Sequence, residues 1–336
     1  MESPGPVAEG TSRTAPRRRF RTLGDKLFRA IAAAAATIFI VIFGATLVVL
    51  VLASEPTFHA FGLSFLWGRV WNPTAAPLSP VVFGAAPAIY GTLLVALIGM
   101  LIGVPLSLGI AMFLTELAPV LVRSPLSFVV ELLAAIPSVV YGFWARLVLV
   151  PIMAATVDPD LGAIFGNVPV IGPLFAEPST GYTGYGYLTA GVILAIMVIP
   201  TISAITRESF LAVPREQREA ALSLGATHWE STRLAVIPYA RRGILGAITL
   251  GLGRAVGETI AVILVIGNTY AISTSLFASG TSIAAFIAGE FGEAQPFEHA
   301  GLLELGLVLL IVSLVINIGA RLIIRRGSVP AGATAA

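Results

Sequence analysis

Two opposite charges, Arg254 and Glu258, interrupt the long apolar stretch GILGAITLGLGRAVGETIAVILVIG at residues 243–267. Arg254 is its twelfth residue, which at the rise of an α-helix places it about 16 Å along the stretch, near the centre of a bilayer. An ionised side chain at that depth costs about 2.5–3.5 kcal/mol on insertion scales. Because something must offset that cost, both residues are candidates for binding an ion or a substrate.

The pair has two interpretations. On a continuous helix, Arg254 and Glu258 share a face four residues apart and neutralise each other as an internal ion pair. In the other interpretation they line a polar pathway, and the glutamate holds the arginine until a transported anion takes its place. The planar guanidinium suits the second role because its donors match phosphate oxygens. Both interpretations can hold in different conformational states.

Other kinds of chemistry are poorly represented. His59, His228 and His299 lie far apart in sequence, and the chain has no cysteine, so we predict neither a metal site nor a disulfide. The motifs H-E-x-x-H and G-x-S-x-G are missing, so no catalytic residue is predicted. With Lys26 as its single lysine, the chain also lacks a phosphate-binding G-x-x-x-x-G-K-[ST] loop. We therefore predict a non-enzyme without a cofactor, whose ATPase, if one drives it, is another chain.

The elements that position these residues are membrane helices. Hydrophobic residues make up 57% of the 336 positions and charged residues 11%, against about 25% charged in soluble domains. We predict an all-α polytopic membrane protein. Six transmembrane helices are expected, from runs of about 20 apolar residues, at residues 28–52, 88–113, 127–150, 186–206, 243–267 and 301–324.

Basic residues give the orientation. All but three of the 20 Lys and Arg residues lie in or beside residues 1–27, 114–126, 207–242 and 325–336. Because positive residues favour the cytoplasmic side, both termini are expected there. The predicted organisation is a disordered basic tail at 1–27 that can contact lipid headgroups, a transmembrane domain at 28–325, and a short cytoplasmic tail at 326–336.

The longest polar run between spans, Val213–Pro238, predicts two short helices joined by a turn. Pro214 suits a first helical position. Gly225 suits the left-handed residue that closes a helix. Thr227 and Glu230 have the spacing of a capping box, which predicts the start of the second helix.

Pro137 is the other local signal, because it removes a backbone hydrogen bond inside the predicted third span and indicates a helix break there. The fifth span carries a stripe of small residues at every fourth position, Gly243, Ala247, Gly251 and Ala255. Small residues let helices approach closely, so this span is expected to be an inner one.

The polar loop resembles the cytoplasmic coupling loop of ABC importer permeases. That family has Glu-Ala-Ala, three residues, Gly, nine residues, then Ile-x-Leu-Pro. Ala235 and Ile237 replace its usual Ile and Leu. The matching residues here, at the family's spacing, are Glu219, Ala220, Ala221, Gly225 and Pro238. The resemblance implies that this loop docks in a cleft of an ATPase subunit and couples ATP hydrolysis to transport.

A narrower resemblance is carried by Gly251–Thr259 (GLGRAVGET) and Glu131–Tyr141 (ELLAAIPSVVY), which are similar to the PstC-type permeases of phosphate importers. It covers about residues 85–325 and implies a type I ABC importer permease fold in a bacterial plasma membrane. Arg254 and Glu258 then match the family's intramembrane charged pair. The partners implied are a homologous PstA-type permease, two ATPase subunits, an extracytoplasmic phosphate-binding protein and phosphate, with no nucleic acid.

Three alternatives remain. An ABC permease for another oxyanion, sulfate or molybdate, shares the architecture, and only the resemblance favours phosphate. A secondary transporter or channel needs no ATPase, and the coupling-loop motif argues against it. An intramembrane enzyme lacks a matched set of catalytic residues.

Overall fold

The computed structural model describes residues 23–74 and 80–326, so the predicted tails at 1–27 and 326–336 lie almost wholly outside the described residues. Helices dominate the described part of the chain. They are α1 (Leu23–Ala53), α2 (Glu55–Phe61), α3 (Ser64–Trp67), α4 (Ala86–Met112), α5 (Val120–Ala135), α6 (Ser138–Phe165), α7 (Tyr187–Leu211), α8 (Arg215–Ser223), α9 (His228–Ser231), α10 (Ile237–Val256), α11 (Ile260–Ile263), α12 (Ile283–Glu290) and α13 (Pro296–Arg326).

Five helices within the described residues are long and apolar enough to cross a membrane. These segments are Gly24–Ala53, Ala86–Leu117, Ser138–Phe165, Tyr187–Leu211 and Pro296–Leu322. They correspond to the predicted first, second, third, fourth and sixth spans, with shifted bounds. The predicted fifth span, 243–267, is interrupted instead of continuous.

Contacts divide the chain into two compact units, residues up to Val49 and residues from Leu50 on. The described part of the first unit is the body of α1. In it, Thr37 and Thr46 each donate a hydrogen bond to the carbonyl four residues earlier, at 2.9 Å. A helix that satisfies its own polar groups in this way is suited to a bilayer.

The core of the second unit is built on α7, which packs along α4 and α10. Glycines make the α4–α7 contact close: a Cβ at Gly103 would lie 2.7 Å from Val198 Cγ2, and one at Gly191 would lie 2.4 Å from Ile98 Cγ2. The small stripe of α10 also faces α7, because a Cβ at Gly251 would lie 2.6 Å from the Ile202 side chain. The predicted inner position of this helix is therefore confirmed.

The predicted third span, 127–150, consists of parts of two helices that meet at Pro137, where the sequence indicated a helix break. Helix α5 ends at Ala135, Ile136 and Pro137 are extended with ψ of 127° and 142°, and α6 begins at Ser138. The proline cannot donate a backbone hydrogen bond, and it disfavours helical geometry in the residue before it. The Tyr141 hydroxyl spans the break and donates to Leu133 O at 2.8 Å.

The predicted fifth span was wrong in its continuity. Helix α10 ends at Val256, and α11 starts only at Ile260. Between them, Glu258 Oε1 accepts a hydrogen bond from Ala261 N at 3.4 Å. A side chain that bonds to nearby backbone in this way competes with the hydrogen bonds of a helix. Gly257 has a low helix propensity, which also favours the end of the helix here.

Candidate translocation site and coupling loop

Arg254 lies in the last turn of α10, partly buried, immediately before the break. Its Nη1 donates to Thr201 Oγ1 on α7 at 3.0 Å. Within the described residues its guanidinium has no carboxylate within 4.0 Å. Arg254 thus carries an uncompensated positive charge and donors that remain available to an anion.

Glu258 lies within the break, not on the helical face of Arg254. Its carboxylate contacts the first turn of α11 through Ala261 N. The break separates the two charges, and no ion pair joins them in the described chain. The internal ion pair that a continuous helix would allow is therefore not formed in this structure.

The two helix breaks are neighbours. Helix α6 packs against α11 so closely that a Cβ at Gly142 would lie 3.0 Å from Ala261 Cα. Pro137 and Gly257, one in each break, are exposed in the isolated chain. Interrupted helices at membrane depth are tolerated where they line a cavity or are covered by protein, and such breaks form ion sites in other transporters.

The polar loop contains the two predicted short helices, α8 and α9. Gly225 has a φ of +87°, and no atom lies within 4 Å of the position that a Cβ would take there, so its backbone conformation alone favours glycine. The capping box is present: Glu230 N donates to Thr227 Oγ1 at 3.3 Å, and Thr227 N donates to Glu230 Oε2 at 2.8 Å. The bond from Thr227 N, and then a bond from the Thr227 hydroxyl to Glu230 Oε2 at 2.9 Å, hold the pKa of the Glu230 carboxyl below its ordinary value. Pro214 precedes the first helical residue instead of occupying it.

The motif residues of this loop face outward. Glu219, Ala220 and Gly225 are exposed, and Leu224 next to them is 89% exposed. Pro238 lies in the first turn of α10, which follows α9 through a π-helical turn, Thr232–Val236. The loop thus offers a rigid, solvent-facing helix pair connected directly to the helix that carries Arg254.

Sequence reasoning missed two contacts of this region. Thr201, which holds Arg254, lies in an ordinary apolar run without a distinguishing pattern. Arg218 pairs with Glu116 at 3.0 Å, and both side chains are mostly buried. The signal in the sequence that could have indicated this ion pair was Glu116, an acidic residue at the end of the second predicted span and close to a short basic connection.

Trp71 and the acidic residues near the start of α13 form a separate polar cluster. Trp71 Nε1 donates to Glu298 Oε1 at 2.9 Å, and Glu298 is buried. Burial, followed by the charges of Glu298 and Glu293, raises the pKa of Glu290 above its ordinary value. No group of residues suited to a metal ion occurs in the described ranges.

Residues 103–328 match the family described as "Binding-protein-dependent transport system inner membrane component". The chain belongs to this family. Family membership makes it a multi-pass inner-membrane permease that works with other components of an ABC transporter.

Two curated relatives of this permease are named "Phosphate transport system permease protein PstC". The protein of Mesorhizobium japonicum is 45% identical over 324 residues, which cover 96% of each chain. That of Xylella fastidiosa is 49% identical over 265 residues, 79% of each chain. The permease is thus of the PstC type.

Solved structures support the fold. A chain of a bacterial alginate ABC transporter, in complex with its alginate-bound periplasmic protein, has a TM-score of 0.58 at 17% identity and covers 90% of this permease and 95% of its own length. A chain of the inward-facing methionine transporter MetNI has a TM-score of 0.50 at 17% identity and covers 72% of this permease and 94% of its own length. The fold is that of ABC importer permeases.

Proposed function

We propose that this chain is the PstC-type permease subunit of an ATP-driven phosphate importer. The observation that carries the proposal is the guanidinium of Arg254 at the end of α10, which is held by one hydroxyl and has no carboxylate partner in the described chain. Its position beside two helix breaks suits a transient anion site. The 45% identity to a PstC permease over nearly the whole chain supports phosphate as the anion.

Arg254 and Glu258 act one after the other during transport. Phosphate reaches the breaks and accepts hydrogen bonds from the Arg254 guanidinium, which needs no rearrangement because Thr201 already orients it. When the anion leaves, Glu258 moves from the start of α11 to Arg254 and restores neutrality. A continuous supply of counter-charge lowers the cost of an arginine at membrane depth in both states.

ATP hydrolysis by a partner subunit drives transport. The exposed loop of Glu219, Ala220, Ala221, Gly225 and Pro238 docks on one of two ATPase subunits, and closure of the ATPase dimer on ATP moves α8 and α9. A homologous PstA-type permease completes the pathway along the helix breaks. An extracytoplasmic phosphate-binding protein delivers the anion at the outer connections.

The arrangement in the membrane follows from the charges. Both termini and residues 207–242 face the cytoplasm, since the basic residues gather there. The transmembrane domain spans 28–325, and the basic tail at 1–27 contacts anionic lipid headgroups.

The function is tested by phosphate uptake into proteoliposomes that contain the complete importer and internal ATP, with the binding protein outside. We expect uptake that needs the ATPase subunits and that excess sulfate or molybdate does not reduce. Uptake of sulfate or molybdate in place of phosphate would move the assignment to another oxyanion. Uptake that persists without the ATPase would contradict the ABC mechanism itself.

A further inference from the structure

Arg218 differs from its neighbours on α8 because its side chain turns inward. Arg215, Glu216 and Glu219 are exposed, whereas the Arg218 side chain is 22% exposed. Its Nη2 donates to Glu116 Oε1 at 3.0 Å. The same guanidinium donates to two backbone carbonyls, Phe210 O and Val213 O, both at 2.7 Å. One side chain therefore makes three hydrogen bonds, one of them to a carboxylate.

These acceptors belong to the ends of two membrane helices. Glu116, whose side chain is 16% exposed, lies in the π-helical turn Phe113–Leu117 that ends α4. Phe210 lies in the last turn of α7, and Val213 follows that helix; both are buried. Arg123 holds the same π-helical turn from its other side, since its Nη2 donates to Thr115 O at 3.0 Å. Helix α8 is thus fastened to α4 and α7 together.

The two fastened helices lead to the charged site. Helices α4 and α7 pack closely at their glycines, so a displacement of one moves the other. Thr201, which orients Arg254, lies on α7 ten residues before its end at Leu211. A continuous series of packed and hydrogen-bonded groups therefore joins the exposed loop to the guanidinium in the membrane.

The geometry points to Arg218 as the positioning residue that transmits the movement of α8 to α4 and α7, with Glu116 as its ionic partner. This role rests on the proposed function, and it concerns a contact inside this chain, separate from the surface that meets the ATPase. Arginine is needed because its fork reaches several acceptors at once, which a lysine ammonium does not do in the same geometry. Loss of the arginine also leaves the Glu116 carboxylate without its counter-charge.

The first test is the ratio of phosphate imported to ATP hydrolysed, measured in proteoliposomes with the complete importer. We expect Arg218→Gln and Glu116→Gln each to lower this ratio about tenfold while ATP hydrolysis is retained. The ratio for Arg218→Lys should lie between that of these variants and that of the native chain. The double variant should have a ratio no lower than that of Arg218→Gln alone. Arg321→Gln, which removes one exposed positive charge from α13, serves as control and keeps the native ratio. A native ratio in Arg218→Gln, or additive losses in the double variant, would refute the role.

The second test does not depend on the transported ion. The chain has no cysteine, so spin labels at Leu117→Cys and Leu222→Cys report the distance between the end of α4 and α8 in a complex with cysteine-free partners. With Arg218 in place, we expect one narrow distance with and without ATP; with Arg218→Gln or Arg218→Lys, ATP broadens or shifts it. A distance that responds to ATP equally in the native chain and both variants overturns the role. If the native complex keeps the fixed distance but imports no phosphate, the substrate assignment fails and the role of Arg218 stands.

Discussion

At the scale of single residues, the proposed transport of phosphate depends on how Arg254 is held. Its one hydrogen bond in the described chain goes to the Thr201 hydroxyl, and its charge is left for an anion. The sequence alone identified Arg254, because a charge in the middle of an apolar run is visible without any structure. Thr201 was not predictable, since a threonine in an apolar run usually bonds to its own helix.

Replacing Thr201 with Val is expected to raise the phosphate concentration for half-maximal uptake about tenfold, because the guanidinium loses the bond that orients it; tenfold corresponds to about 1.4 kcal/mol. Thr201→Ser keeps the hydroxyl and should remain close to the native value. Thr249→Val is the matched control, since the Thr249 hydroxyl bonds to Leu245 O in its own helix. Uptake kinetics in proteoliposomes give the answer, and equal effects at both threonines would argue against a special role for Thr201.

At the scale of elements, local signals were reliable and long apolar runs were not. The turn of Gly225 and the capping box of Thr227 and Glu230 were predicted because their determinants lie within a few residues of each other. The break after Ala135 lies beside Pro137, the residue that indicated it, whereas the break after Val256 was not predicted, because a hydropathy count does not depend on backbone conformation. The interruption after Val256 also depends on packing of α11 against α6, which only the folded chain contains.

Gly225→Ala should destabilise the α8–α9 turn by about 1–2 kcal/mol, the ordinary cost of a left-handed residue with a side chain. Since no atom lies within 4 Å of the added Cβ, the cost is one of backbone conformation. Tryptic cleavage at the loop arginines in inside-out vesicles should become faster and uptake should fall. Gly319→Ala is the control, because it adds a methyl group to a helix at an equally open position. Unchanged cleavage in Gly225→Ala would contradict the turn geometry.

The capping box should be insensitive to pH in the physiological range. The pKa of Glu230 is lowered on folding, so its contribution is present above its unfolded value and is lost only as the pH falls through the lower, folded value. Hydrogen exchange of the Glu230 amide should therefore show constant protection above about pH 5, after correction for intrinsic rates, and loss of protection in stronger acid. Protection already lost near neutral pH would contradict this assignment.

At the scale of the whole molecule, the distribution of basic residues predicts how the chain is oriented in the membrane. Composition was enough to predict an all-α membrane protein, because it is summed over many residues, and the distribution of charge predicts that the polar loop is cytoplasmic. The number of continuous spans was less predictable, since five helices of the described residues are long enough to cross a membrane and two predicted spans, the third and the fifth, are divided.

Two single cysteines in the otherwise cysteine-free chain test the orientation. Val170→Cys and Leu224→Cys lie at positions that are 92% and 89% exposed. In intact spheroplasts, a membrane-impermeant maleimide should label position 170 and not position 224, and in inside-out vesicles the pattern should reverse. The opposite pattern would place the coupling loop outside and contradict the proposed contact with an ATPase.

The most direct test of the central claim compares phosphate uptake by the complete importer with native chain and with Arg254→Gln. Glutamine keeps polarity and much of the volume but removes the charge that the anion needs. We predict that uptake is lost in the variant while the ATPase subunits still co-purify and still hydrolyse ATP. Native uptake in an assembled Arg254→Gln importer would contradict the claim that phosphate binds to this guanidinium as it crosses the membrane.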